Sequence, residues 1–205
     1  MEENQHRPVN PFIKMVAQMS VEKASAVLGK LLRTDAKIEV ENVYMSDLST
    51  DTAQISASGD RIIGAFIDLN GDTEFKFLLF VNDQDSFLLT DLMLRRPLGA
   101  TKAFDKYVYS TVKEIGNILA SAIAGVFSVD FNIKLKPTPP FSVHDFSGSI
   151  FEEYIISAGL PSDDVMIIES VFDVIGHGLR CNMYIIPLDE AAVLKHLKEN
   201  GKKCN

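Results

Sequence analysis

The chain has 205 residues, of which 46% are hydrophobic and 23% are charged, and its formal net charge is -8. These proportions are typical of a soluble globular protein that can bury a substantial core. The acidic balance argues against general nucleic-acid binding and against binding to anionic membrane surfaces. We therefore expect a globular protein that binds neither nucleic acid nor membrane.

Histidine and cysteine are too scarce to indicate a metal centre. The four histidines are scattered without ligand spacing, so no metal site is predicted. Cys181 and Cys204 are interpreted as reduced thiols. No hydrophobic run reaches the roughly 18 residues of a transmembrane helix, and the first residues do not resemble a signal peptide. The sequence therefore predicts a cytoplasmic protein.

The first half of the chain predicts helices at both ends with strands between them. Apolar spacing indicates the helices, alternation indicates the strands, and Asn70-Gly71-Asp72 is a strong hairpin signal. Asn82 or Asp83 is expected to cap the second helix. The predicted elements are a helix over 12–32, strands over 37–44, 54–58, 61–69 and 74–81, and a helix over 83–94.

The second half follows a similar plan. Pro139-Pro140 is expected to bound its first strand, and Gly176-His-Gly indicates another hairpin. Asp189 is the expected cap of the last helix. The predicted elements are a helix over about 104–127, a strand over 131–136, a helix over about 150–157, strands over 165–172 and 179–186, and a helix over 189–200.

The helix over 104–127 carries two stripes with different chemistry. Ser110, Glu114, Asn117 and Ser121 form a polar stripe, displaced by about 200° from an apolar one. Such a helix would direct a carboxylate and an amide away from the core, and a plain solvated face is the alternative interpretation. The apolar stripe consists of Val108, Val112, Ile115, Leu119, Ala122 and Val126.

Two glycines, Gly116 and Gly125, interrupt the same predicted helix. A glycine inside a helix costs about 1 kcal/mol relative to alanine. We therefore expect a neighbouring helix or a partner protein to approach closely at these positions.

The polar stripe belongs to a longer pattern. Ser110, Glu114, Asn117 and Pro140 are separated by three, two and 22 residues. This spacing, with Glu-Ile-Gly-Asn at its centre, resembles the signature of the CheC/CheX/FliY family of chemotaxis phosphatases. Four residue types and a long spacer agree together, so the resemblance is specific.

An offset of 99 residues aligns a second, degenerate copy of this pattern. Met15 falls on Glu114 and Gln18 on Asn117, while Pro11 and Glu41 occupy the two outer positions. A thioether cannot form the ion pair that a carboxylate forms. We expect the first copy to be structural and the second to carry the activity.

The duplication resembles the layout of CheC. It implies one domain over 1–205, with repeat 1 at about 11–98 and repeat 2 at about 103–200. The expected fold is α/β in the α+β sense, with pseudo-twofold symmetry. Two long adjacent helices would pack on one side of a mostly antiparallel sheet.

The resemblance also implies a reaction and a set of roles. The substrate would be phosphorylated CheY, or a similar response regulator, which brings its own Mg²⁺. Asn117 would orient the attacking water and Glu114 would pair with a lysine of the regulator. Ser110 would be a peripheral substrate contact, and Pro140 would be structural.

The resemblance leaves other partners and other functions open. The segment Arg95-Arg96-Pro97-Leu98 lies where CheC proteins present a surface to the receptor deamidase CheD. A non-catalytic adaptor that docks a response regulator or CheD is the main alternative to a phosphatase. A structural component of the flagellar switch, as FliY is, is another.

Overall fold

The computed structural model describes residues 9–47, 60–157 and 164–200, so the predicted strand over 54–58 lies outside the described residues. The helices are α1 (Pro11–Leu32), α2 (Asp83–Leu94), α3 (Lys106–Phe131), α4 (Ser147–Ser157) and α5 (Glu190–Asn200). The strands are β1 (Ala36–Asp47), β2 (Arg61–Gly71), β3 (Phe75–Asn82), β4 (Leu135–Pro137), β5 (Phe141–Phe146), β6 (Asp164–Val174) and β7 (Leu179–Pro187).

The described strands form one antiparallel sheet. Their order is β1-β6-β7-β3-β2-β4, and β5 pairs with β2 beside β4. The repeat relates β1 to β4, β2 to β6 and β3 to β7. Exchanging each strand with its counterpart gives the same order read from the other edge of the sheet, with β3 and β7 paired at the centre. The sheet therefore has the predicted pseudo-twofold symmetry.

Helices α1 and α3 lie side by side on one face of the sheet, as predicted. Alternation along β2 explains how they are held there. Ile63, Ala65 and Ile67 belong to the core under these helices, whereas Ile62 and Phe66 belong to a smaller cluster on the opposite face. The paired helices are therefore anchored on the apolar face of a central strand.

The two long helices end in the same way, 99 positions apart. Arg33 follows α1 and Asn132 follows α3, and both adopt the left-handed conformation, with φ of 55° and 51°. The cap N–H groups donate to Gly29 and Phe127, respectively. This correspondence matches the offset of the sequence repeat.

The strand predicted over 131–136 is mostly wrong. Helix α3 continues to Phe131, and the strand that follows comprises only Leu135–Pro137. Phe131 is buried and makes an edge-on contact with Phe12, which extends the buried side of α3 by one more turn. The alternation at 131–136 reflects the helix end and its cap rather than a longer strand.

Strand β5 was not predicted. It pairs with Arg61–Phe66 of β2 at the sheet edge, and most of its side chains are exposed. Phe141-Ser-Val-His alternates apolar and polar residues, but the run is short and its apolar side chains are the exposed ones, so it is a weak signal for a half-buried strand. Pro139-Pro140 bounds β4, as predicted, and β5 begins directly after it.

Helix α4 covers part of the opposite face of the sheet. The Tyr154 hydroxyl donates to Asp68 Oδ1 at 2.7 Å, and Lys76 Nζ lies 2.8 Å from the same oxygen. Burial, followed by the hydrogen bond to Asp68, raises the pKa of Tyr154 far above its usual value. This group ties α4 to strands β2 and β3.

Helix α3 is long and apolar enough, by length and composition, to cross a membrane. The sequence predicted no hydrophobic run long enough to span a membrane, whereas the mean hydropathy over 18 residues of α3 is high enough for such a span. The core side of α3 is buried against α1 and the sheet, which is also the behaviour of a core helix in a globular protein.

Candidate functional site

The predicted polar stripe lies on the outward side of α3. Ser110 and Glu114 are exposed and Asn117 is half-buried. Val112, Ile115 and other members of the apolar stripe are fully buried on the opposite side. The structure therefore brings Ser110, Glu114 and Asn117 together on one accessible helix face.

The described part of the chain offers Glu114 and Asn117 no hydrogen-bond or ion-pair partner. A half-buried primary amide without an internal partner keeps two donors and one acceptor available to an incoming group. The face can thus present a carboxylate and an amide, one turn apart, to another molecule.

Burial of the opposite side of α3 anchors this face to the core. Fully burying an aliphatic side chain contributes about 1.5–3 kcal/mol, and α3 buries Val112, Ile115 and Leu119 within three turns. The helix also begins at a defined cap, because Asp105 Oδ1 accepts hydrogen bonds from the N–H groups of Tyr107 and Val108.

Gly116 allows α3 to lie close to strand β2. A Cβ atom at this position would be 3.1 Å from both Ala65 Cβ and Ile67 Cδ1. The close approach is therefore to the sheet, not to a helix or a partner protein as predicted. At Gly125 an added Cβ would meet nothing within 4 Å among the described residues, so a close contact within this part of the chain does not explain that glycine.

The degenerate copy on α1 has different surroundings. Met15 is 46% exposed at the position that corresponds to Glu114. Gln18 Nε2 donates to Glu22 Oε1 at 3.2 Å along its own helix. The face of α1 therefore presents a thioether and an amide that already has a partner.

Pro140 lies on a separate segment, between β4 and β5. Its neighbour Thr138 is joined to β2, since Thr138 N–H donates to Asp68 O and Asp68 N–H donates to Thr138 Oγ1. Strands β4 and β5 both contact α3. The corresponding residue of the first half, Glu41, forms an ion pair with Arg180.

The loop between α2 and α3 is braced by Asp91, a residue that sequence reasoning missed. Asp91 is fully buried, and its carboxylate accepts hydrogen bonds from Ala100 N–H at 2.9 Å and from Thr101 Oγ1 at 2.6 Å. Thr101 N–H donates to the same carboxylate at 3.0 Å. A buried carboxylate with this many donors fixes the course of the loop.

Tyr107 extends the polar stripe by one turn towards this loop, and it was also missed. Its ring is 43% exposed, and Arg96 Cζ lies 5.0 Å from the ring centroid. Lys106 Nζ lies 5.2 Å from the same centroid. The signal was present, because Tyr107 precedes Ser110 and Glu114 by three and seven residues, the spacing of one helix face.

In the part of the chain that the structure describes, neither a cysteine nor a metal-ligand cluster adds to this site. Cys181 is a buried free thiol whose pKa is raised by burial, and Cys204 lies outside the described residues. Within the described ranges, no three His, Cys, Asp or Glu side chains converge in a way that could hold a metal ion.

Comparisons with known proteins place the site in a family context. The model of the CheC-like family matches residues 108–144, which include Ser110, Glu114, Asn117 and Pro140. The predicted resemblance to this family is therefore confirmed, over the segment that carries the motif.

Solved structures of similar fold come from chemotaxis and flagellar proteins. Thermotoga maritima FliY has a TM-score of 0.74 at 15% identity, covering 95% of this chain and 100% of that one. A chain of the FliM–SpeE complex from H. pylori gives 0.66 at 12% identity, covering 95% and 98%. A chain of the CheX–CheY–BeF₃–Mg²⁺ complex from Borrelia burgdorferi gives 0.52 at 16% identity, covering 82% and 94%. The predicted fold is thus confirmed.

Proposed function

We propose that this protein is a chemotaxis phosphatase that hydrolyses the aspartyl phosphate of a CheY-like response regulator. One observation carries the proposal. The family match covers the intact copy of the motif, and its carboxylate and amide lie on an accessible helix face without partners among the described residues. A cytoplasmic location, where response regulators act, is part of the proposal.

The chemistry requires little from the phosphatase itself. Phosphoryl transfer depends mainly on positioning and on stabilisation of charge. The Asn117 amide would enter the regulator's active site, donate to the attacking water and accept from it, and so align that water with phosphorus. The water attacks phosphorus, the bond to the aspartate oxygen breaks, and inorganic phosphate leaves.

The other motif residues would dock and shape the site. Glu114 would pair with a lysine of the regulator and keep α3 in register, while Ser110 would contact the regulator at the edge. Pro140 would shape the connection between β4 and β5. The regulator would supply the Mg²⁺, in line with the crystallised complex of CheX with CheY, BeF₃ and Mg²⁺.

A non-catalytic adaptor is the second candidate. The similarity to FliM structures, one of them in a complex with SpeE and another with FliG, supports this alternative. An adaptor of this fold would dock a response regulator without accelerating hydrolysis. Docking of CheD at Arg95–Leu98 would be compatible with either function.

Phosphate release from a phosphorylated CheY-like regulator separates the two candidates. A phosphatase accelerates release in proportion to its concentration, and chelation of Mg²⁺ removes the acceleration. An adaptor binds the phosphorylated regulator and leaves the spontaneous rate unchanged. Binding without acceleration by the folded protein, across the CheY-like regulators of its genome, would contradict the proposed function.

A further inference from the structure

The segment that leads into α3 is a concentration of positive charge in an acidic protein. Residues 95–106 contain four cations, Arg95, Arg96, Lys102 and Lys106, and one acidic residue, Asp105. The Asp105 carboxylate is engaged in capping α3. The whole chain carries a net charge of -8, so this segment differs in sign from the average surface.

Two of these cations lie over an exposed aromatic ring. Arg96 and Lys106 lie over Tyr107 at 5.0 Å and 5.2 Å from its centroid, and Arg95 and Lys102 are exposed nearby in the chain. We call Arg95, Arg96, Lys102, Lys106 and Tyr107 the basic platform. Such a surface binds an acidic partner that also offers a side chain to the ring.

The platform is continuous with the proposed site. On a helical wheel Tyr107, Ser110, Glu114 and Asn117 fall within about 80° of one another. Tyr107 lies about 10 Å from Glu114 along the helix axis, a distance that one protein domain can bridge. A molecule seated on Glu114 and Asn117 would therefore extend over the platform.

The platform is held in place before any partner binds. Buried Asp91 fixes Ala100 and Thr101, and Arg96 N–H donates to Asp91 O at 2.8 Å. Arg96 Nη1 also lies 3.4 Å from Thr101 Oγ1. A preorganised charged surface loses little conformational entropy on binding.

We infer that the basic platform is a second contact for the response regulator and sets the affinity for it. The inference rests on the proposed function, which places a receiver domain with an acidic phosphorylation pocket over α3. The platform would attract the negative rim of that pocket while Asn117 acts at its centre. It would contribute to KM and to the association rate, and hardly to kcat.

The test reverses two platform charges that form no hydrogen bond within the described ranges. Lys102→Glu with Lys106→Glu is expected to raise KM for the phosphorylated regulator about tenfold and to leave kcat within about twofold. The salt dependence of KM should weaken as well. Glutamate at position 106, in the first turn of α3, favours the helix, and a thermal melt of the double variant verifies that the fold is kept.

A matched control lies at the far end of α3. Lys134 and Lys136 are exposed and follow the C-terminal end of α3, whose 26 residues span about 39 Å from the end that carries Lys106. Lys134→Glu with Lys136→Glu changes the net charge equally and should leave KM near the wild-type value. If KM rose equally in the two double variants, the effect would come from overall charge rather than from the platform, and the inference would be overturned.

The aromatic part of the platform has its own test. Tyr107→Ala should raise KM several-fold, while Tyr107→Phe, which keeps the ring, should restore it. Affinity for a regulator charged with beryllofluoride and Mg²⁺ should follow the same order without any turnover. Failure of the wild-type protein to accelerate phosphate release would count against the proposed function alone. Equal affinity of the wild type and the Lys102→Glu, Lys106→Glu variant for the regulator would overturn the inference that the platform contacts it. The platform would then serve another partner, such as CheD.

Discussion

At the scale of single residues, the two copies of the motif differ in which chemistry they leave available. Glu114 and Asn117 have no partner in the described part of the chain, whereas Gln18 is bonded to Glu22 and Met15 carries no charge. The same helix face thus occurs twice with different donor and acceptor groups. This contrast makes each copy a control for the other.

Reversing the charge at Glu114 should weaken docking. Glu114→Lys would set two like charges against each other where we expect an ion pair with a regulator lysine, and affinity should fall about tenfold or more. Titration with the beryllofluoride-charged regulator measures this directly. Glu114→Gln removes the charge without reversing it, so its affinity should lie between those of the wild type and Glu114→Lys. Unchanged affinity of the lysine variant would contradict the role given to Glu114.

At the scale of elements, the position of α3 depends on its contact with β2. The two helix glycines test this contact, because alanine improves helix propensity at both by up to about 1 kcal/mol. At Gly125 the new methyl group meets open space among the described residues, so Gly125→Ala should raise the free energy of unfolding by about 0.5–1 kcal/mol.

Gly116→Ala should have the opposite effect. Its methyl group would lie 3.1 Å from Ala65 Cβ, which belongs to a central strand and has no rotamer to change. Overpacking of this kind costs about 1–3 kcal/mol and exceeds the gain in propensity. Urea denaturation of both variants gives the comparison. A Gly116→Ala variant as stable as Gly125→Ala would show that α3 can move away from the sheet.

Helix α4 depends on the Tyr154–Asp68 hydrogen bond. Tyr154→Phe should lower the free energy of unfolding by about 1–2 kcal/mol at neutral pH, since it removes a donor to a charged acceptor. The raised pKa of Tyr154 makes this contribution pH-dependent: it is complete below about pH 10, where an unfolded tyrosine is still neutral, and declines as pH rises further.

The measurement is the difference in unfolding free energy between the wild type and Tyr154→Phe at pH 7 and near pH 11. The difference should shrink at the higher pH, because the unfolded wild type then ionises and the folded form does not. Other titrating groups are common to both proteins and cancel in the difference. A difference that stays constant or grows would contradict the assignment.

At the scale of the whole molecule, the long helices and the repeat could be predicted because each leaves a periodic signal. The apolar stripe of α3 is buried as expected except for half-buried Ala122, and α1 and α3 end 99 positions apart. The hairpin of β2 and β3 was predicted, although Asn70 and Gly71 belong to β2 and pair with β4 rather than forming its turn. The Asn82 cap of α2 follows from local chemistry, since Asn82 Oδ1 accepts from Asp85 N–H.

What the sequence could not give depends on contacts between distant residues. Strand β5 exists because β2 offers it a free edge, and α3 extends to Phe131 because Phe12 packs there. The bracing role of Asp91 depends on Thr101 folding back onto it. The motif was enough to predict the centre of the candidate site. The residues around that centre could be identified only from the three-dimensional structure.

The most direct test of the central claim compares Asn117→Ala with Gln18→Ala. Asn117 is on the outward face, so its truncation should leave the fold intact, which a thermal melt verifies. Phosphate release from the phosphorylated regulator should fall at least about a hundredfold in kcat for Asn117→Ala, because the water-positioning amide is gone. Gln18→Ala should release phosphate at about the wild-type rate. Near-normal turnover in Asn117→Ala, or loss of turnover in Gln18→Ala, would place the active site on the wrong helix and contradict the account.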